Sequence, residues 1–298
     1  MRPDYPTGLA HNFAGLEDEY ASFESSRVAV LPVPYDFSVS YQSGTRWGPS
    51  AILTASRNME VWDDELGATY RCGIHTLPEL EPTSEGPGEQ VRRVEQAVDW
   101  VLSKGKLPAM LGGEHSISAG AVRAILKNHP KASVLQIDAH ADMRDRYLDS
   151  PDSHACVMRR IREICPAASV GIRSLSEEEA DHLRVNPAPV WSTRRFRALK
   201  GDWSSILASL TDEVFITFDL DGLDPACLPG TGTPEPGGLD WFEASDLIGA
   251  VADAKRIVGF DVVELAPLPG NVASDFLAAR MTYRMIGHMM RSQGWRPS

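Results

Sequence analysis

Ala132-Ser133-Val134-Leu135-Gln136-Ile137-Asp138-Ala139-His140-Ala141-Asp142 joins a β-prone apolar run to three polar groups at every second position. On an extended chain alternate side chains share a face, so Asp138, His140 and Asp142 can point into one site. Two carboxylates and an imidazole converging there would be desolvated and mutually repelled, and a divalent metal is the simplest remedy. An exposed acidic turn that happens to contain a histidine has the same spacing.

Working outward, Leu107-Pro108-Ala109-Met110-Leu111 is a strand-length apolar run feeding Gly112-Gly113-Glu114-His115-Ser116, after which Ile117 to Leu126 reads as a helix. Glu213-Val214-Phe215-Ile216-Thr217-Phe218 runs into Asp219-Leu220-Asp221, a second acidic pair at spacing two behind an apolar strand. Arg27 to Pro34 suits a first buried strand, Ile257 to Glu264 a last one, and Ser169 to Ile172 and Val190-Trp191 shorter ones. Helices are expected after Pro49, from Val91 to Leu102, around Val157 and Ile161, and from Trp203 to Leu210. Asp240 with Glu243 opens another like a capping box, and Ser274 can cap a C-terminal helix. The loop from Gly222 to Gly238 is punctuated by prolines and glycines and is too long for a mere connection.

Strands that are apolar throughout, alternating with amphipathic helices, predict an α/β fold: three α/β/α layers around a mostly parallel sheet. No repeat or linker divides the 298 residues, so a single domain over 1–298 is expected, with 1–26 as an N-terminal arm. In such folds ligands bind beyond the carboxyl ends of the strands. Every polar cluster named above falls there.

A formal net charge of -12 argues against a nucleic-acid partner, which needs a basic face. Cys72, Cys156, Cys165 and Cys227 show neither zinc-knuckle nor disulfide-framework spacing, and Cys156 and Cys227 are expected to be small buried residues without a role in the chemistry. Met1 to Pro6 contain no apolar leader core, and no run reaches the length of a membrane span. A cytoplasmic protein without membrane partners is the expectation.

Three strand ends thus supply His115, then Asp138, His140 and Asp142, then Asp219 and Asp221. Four carboxylates and two imidazoles are too oxygen-rich for a single zinc site and suit two divalent ions sharing carboxylates. Manganese comes first on ligand hardness, with nickel, cobalt and zinc also compatible. The implied class is metal-assisted hydrolysis.

Gly112-Gly113-Glu114-His115-Ser116, Asp138-Ala139-His140-Ala141-Asp142, Ser153-His154 and Phe218-Asp219-Leu220-Asp221-Gly222-Leu223-Asp224-Pro225 together resemble the motif set of the ureohydrolases, the arginases and agmatinases. The loops Gly44-Thr45-Arg46-Trp47-Gly48-Pro49 and Pro229 to Gly238, with Met143-Arg144-Asp145, bring the resemblance closest to the agmatinases. It implies an arginase-like fold and two Mn2+ per chain, one held by His115, Asp138, Asp142 and Asp219, the other by His140, Asp138, Asp219 and Asp221. A hydroxide between the ions would attack the guanidinium carbon and release urea and an amine, with His154 as proton shuttle and Glu264 gripping the guanidinium. The implied reaction is agmatine to putrescine and urea, a step of polyamine metabolism, in a homotrimer or homohexamer acting on a small cationic guanidino substrate. A guanidino acid such as guanidinobutyrate is the alternative if Arg144 receives a carboxylate. A single-metal deacetylase and a catalytically silent regulatory homologue are the readings of another class; the first needs one metal site and the second would be expected to have lost a ligand. Ala155 departs from the glycine that commonly follows the shuttle histidine.

Overall fold

The computed structural model describes residues 8–297. Met1 to Pro6, read above as lacking an apolar leader, lie outside the described residues. Eight strands form one parallel sheet: β1 (Val28–Val33), β2 (Ile74–Thr76), β3 (Leu107–Gly112), β4 (Ser133–Ile137), β5 (Ala167–Val170), β6 (Val190–Trp191), β7 (Glu213–Asp219) and β8 (Arg256–Val263). Their order is β2-β1-β3-β8-β7-β4-β5-β6. After β3 the chain passes over two positions to lay down β4, and β7 and β8 later fill the gap, pairing Ile137 with Phe218 and Phe218 with Val262. Thus β3, β8, β7 and β4 lie side by side at the centre, each ending in one of the polar motifs.

Both faces of the sheet are covered. Val28, Val30, Leu135, Ile137, Ile216, Phe218, Phe260 and Val262 join one apolar cluster, while Leu31, Val33, Met110, Val134, Phe215 and Val263 join the other. That alternation is why these strands are apolar on both faces rather than at every second position, broken by a few buried polar residues such as Gln136, Thr217 and Asp261. The helices are α1 (Asp18–Ala21), α2 (Gly48–Ser56), α3 (Pro87–Ser103), α4 (Ser118–Asn128), α5 (Val157–Arg162), α6 (Glu177–Val185), α7 (Thr193–Ala198), α8 (Ser204–Ala208), α9 (Trp241–Ala254) and α10 (Ala273–Ser292). α2, α9 and α10 cover the first cluster, α3, α4 and α5 the second. None of the described helices is long and apolar enough to cross a membrane.

Local signals hold where they are chemical. Pro49 sits in the first turn of α2, α3 stops at Lys104-Gly105 with Gly105 at φ 68°, and the Asp240/Glu243 capping box opens α9. Ser274 is a correction. Val272 stands at the N-cap of α10, and Ser274 lies buried at the second helical position, its Oγ accepting the Gly230 N–H at 3.0 Å. The helix expected over 203–210 shortens to α8, and β2, α6 and α7 were not foreseen. The arm is no loose appendage, because Phe13 is fully buried in the first cluster.

Candidate metal centre

Gly113 begins the site. A side chain on it would drive into the Tyr35 carbonyl, so only glycine lets the turn after β3 lie against that loop. The turn delivers a fully buried His115, whose Nδ1 stands 3.2 Å from each of Asp138 Oδ2, Asp142 Oδ2 and Asp219 Oδ2. A second group lies alongside: His140 Nδ1 is 2.9 Å from Asp221 Oδ2 and 3.7 Å from Asp138 Oδ1. Asp138 presents one oxygen to each group. His115, Asp138 and Asp219, and separately Asp138, His140 and Asp221, bring ligand atoms close enough together to hold a metal ion.

Backbone and amide donors aim these carboxylates. The His140 N–H and the Gln136 side-chain amide reach Asp138 Oδ1 and Oδ2 at 2.6 Å, the Asp221 N–H reaches Asp219 Oδ1 at 2.9 Å, and the Ala139 N–H reaches Asp221 Oδ1 at 3.1 Å. Asp142 and Glu264 adopt left-handed φ of 50° and 66°, a conformation that costs a non-glycine residue energy and recurs at functional sites.

The electrostatics of the bare protein are those of a cation site. Burial, then the charges of Asp142 and Asp221, push Asp138 up to about 7. Burial, then Asp221 and Asp138, hold Asp219 well above the carboxylate range. Burial also disfavours charge on Asp221 and His140, but their mutual attraction outweighs it, bringing Asp221 to about 2 and His140 to about 11. His115 Nδ1 is buried with no hydrogen-bond partner while three carboxylates surround it. A divalent ion satisfies the lone pair and the acids together, so this donor set fits metal.

The group forms the floor of a cleft of about 240 Å³. His154, half-buried on the wall, has Nδ1 at 3.1 Å from Ser38 Oγ and Nε2 at 2.9 Å from Ser40 Oγ. Burial lowers its pKa, against the raising influence of Asp142 and Glu114. Glu264 accepts the His115 N–H on Oε1 at 2.6 Å, and among the described residues no arginine or lysine pairs with it. Burial, then Glu114, hold its pKa well above the usual range. The structure thus brings all eight expected residues to one place. Cys156 is buried as expected, whereas Cys227 is partly exposed.

Three parts of the wall escaped the sequence reading: Ser38 and Ser40, Tyr147, and Glu179. Glu179 carried a visible signal, the capping box Ser176-x-x-Glu179 at the start of α6. Its carboxylate also takes the Met143 N–H at 2.8 Å, tying the segment after the metal motif to that helix. Arg144 lies against it, with Nε 4.0 Å from Glu179 Oε2 and the guanidinium 5.1 Å from the centre of the Tyr147 ring.

Residues 26–287 match the Arginase family. An N(1)-aminopropylagmatine ureohydrolase from Synechocystis is 38% identical over 289 residues, covering 93% of this chain and 94% of its own. An agmatinase from Bacillus anthracis is 33% identical over 258 residues, covering 84% and 87%. Among solved structures, the agmatine ureohydrolase of Thermoplasma volcanium superposes with a TM-score of 0.86 at 32% identity over 96% of both chains. The chain belongs to the arginase family. Within it the chain is a ureohydrolase, a hydrolase of guanidino groups, which sets aside the deacetylase and the silent homologue.

Proposed function

We propose that this ureohydrolase releases urea from a linear guanidine carrying an amine tail, N(1)-aminopropylagmatine first and agmatine second. The observation that carries the reading is the shared Asp138 between two histidine–carboxylate groups at the floor of an acidic cleft. Asp142, Glu179, Asp219, Asp221 and Glu264 all line that cleft, against Arg144 as the sole arginine or lysine among its described lining residues. Arg144 is already engaged by Glu179 and Tyr147, which disfavours a guanidino acid whose carboxylate would need it. The Synechocystis relative, matched at higher identity than the Bacillus agmatinase, supports the longer amine tail.

His115, Asp138, Asp142 and Asp219 would hold one ion, and His140, Asp138, Asp219 and Asp221 the other, with manganese first among the candidates. When bound, such a pair supplies Lewis acidity and lowers the pKa of water at neutral pH. The protein's own part is to orient and to move protons. Glu264, with Oε1 occupied by the His115 N–H, offers Oε2 to the planar guanidinium, and that cation favours its charged form. His154 gives a proton to the departing amine, which otherwise leaves as a strongly basic anion. The resemblance to the family also carries an expected homotrimer or homohexamer, which light scattering would test.

The deciding experiment is urea release by manganese-loaded protein offered N(1)-aminopropylagmatine, agmatine, guanidinobutyrate and arginine side by side. The amine-tailed pair should lead. A lead for guanidinobutyrate or arginine would overturn the substrate class and leave the chemistry standing.

A further inference from the structure

Glu114 neighbours His115 in sequence, but its carboxylate turns to the loop that carries Ser38. It is fully buried, and its Oε2 takes the Ser38 N–H at 2.6 Å while its Oε1 takes the hydroxyls of Ser38 and Ser116 at 2.7 and 2.6 Å. Each of these contacts brings a donor, so Glu114 acts as the acceptor throughout. Ser38 has one hydroxyl hydrogen, and its contact with Oε1 uses it. Towards its remaining neighbours, the His154 N–H at 3.2 Å and His154 Nδ1 at 3.1 Å, Ser38 Oγ can only accept. Ser38 Oγ has two lone pairs, taken up by the His154 N–H and by Nδ1, so Ser153 Oγ, at 3.3 Å from Nδ1 and 3.4 Å from Ser38, is the weakest neighbour and does not place the ring hydrogen. The Ser38 contact, the shorter of the two, therefore puts the hydrogen of the neutral ring on Nδ1.

We infer that Glu114, acting through Ser38, holds His154 as the Nδ1–H tautomer and thereby makes Nε2 the atom that carries the proton between solvent and the departing amine. The inference rests on the shuttle role proposed above for His154. On the Nε2 side the exposed Ser40 hydroxyl lies at 2.9 Å, with the Tyr147 oxygen 3.2 Å beyond it and the Tyr147 ring edge-on to the imidazole at 5.5 Å. Ser40 Oγ reaches the Tyr147 oxygen as donor, and while the ring is neutral its single hydrogen turns from Tyr147 to Nε2. Once Nε2 has taken a proton from solvent through Ser40, it donates to Ser40 Oγ, whose hydrogen turns to Tyr147. As the C–N bond breaks its electron pair stays on the amine nitrogen, which takes the Nε2 proton. The ring returns to neutral with Nδ1–H unchanged, one proton in and one out.

Glu114 and Ser38 are positioning residues, and a merely structural role would be to pin the loop carrying Ser38 to the turn after β3. Nitrogen NMR of histidine-labelled, metal-loaded protein, with His154 assigned by its absence in His154→Ala, separates the two. The expected wild-type signal has Nδ1 protonated and Nε2 bare, and Ser38→Ala should shift towards a mixture of tautomers. In parallel, Ser38→Ala should lower kcat for urea release about tenfold or more with KM and metal content little changed, and Ser38→Thr, which keeps the hydroxyl, should restore it. Ser38→Ala added to His154→Ala should cost nothing further. A wild-type ring protonated at Nε2, or an unchanged kcat in Ser38→Ala alongside a slow His154→Ala, would overturn the relay. Full activity in His154→Ala would instead overturn the shuttle role, and the NMR tautomer would still decide what Glu114 and Ser38 hold.

Discussion

Thr217 Oγ1 lies 2.8 Å from His115 Nε2 and donates its own hydrogen to Asp261 Oδ1 at 2.7 Å. The oxygen therefore accepts from Nε2–H, which leaves the Nδ1 lone pair facing the three carboxylates. Thr217→Val keeps the shape and removes the acceptor, freeing the ring to take the wrong tautomer. Metal affinity should fall roughly 10- to 100-fold, read by competition with a fluorescent chelator. Unchanged affinity in a variant of normal thermal stability would mean that the ring needs no such support.

Removing a member of the second group should act through metal. Asp221→Ala and His140→Ala should each lower the bound ions per chain and abolish urea release, whereas His154→Ala should slow release at full metal content. Elemental analysis beside activity makes the distinction. Two ions per chain in Asp221→Ala would show that this carboxylate is dispensable for holding them.

Metal uptake should depend on pH. With Asp138 pushed up to about 7, an incoming ion must displace its proton at lower pH, so apparent affinity should weaken as pH falls through that value. Each displaced proton is worth about tenfold per pH unit. Titrations of metal-free protein at pH 8 and pH 6 should differ accordingly, and equal affinities would count against a buried carboxylate proton.

His288 on α10 offers a test away from the site. It is 2% exposed, neither ring nitrogen has a hydrogen bond, and burial, with Arg291 and Arg284 beside it, holds its pKa down to about 3. The unfolded chain protonates it near the ordinary value of about 6.5, so the unfolded state binds the proton first. Stability is complete above that value and is lost as pH falls towards 3, on the order of 2 kcal/mol by pH 5. Urea unfolding at pH 7 and pH 5 should show His288→Leu losing less than the parent. Equal losses would exclude His288 from the acid limb.

The Asp138-His140-Asp142 triplet, the Asp219-Asp221 pair and the glycine turn before His115 were legible because each follows directly on an apolar strand; the strands themselves stop at Ile137 and Asp219, so turns beyond them, with Asp142 at φ 50°, aim most of these ligands. Glu264 was legible only through the family resemblance, since a lone acid at a strand end has no periodicity, and its left-handed φ is set by what surrounds β8. Ser38, Ser40 and Tyr147 carried no signal. Each is an ordinary loop residue, and its meaning comes from a contact with His154, which for Ser38 spans 116 positions of sequence.

Sequence by itself determined the class of fold, because strands buried on both faces must be apolar throughout and the helices between them must be amphipathic. It also determined the ligand types, because carboxylates and imidazoles behind apolar strands have few other uses. Tertiary structure decided how they combine. The crossover that lays β4 beyond two positions, later filled by β7 and β8, brings His115, Asp138 and Asp219 together from three separate strand ends. Strand order depends on packing between distant segments, and no local pattern encodes it. The same long-range packing brings Glu114, Ser38 and His154 into line, from three segments that share nothing in sequence.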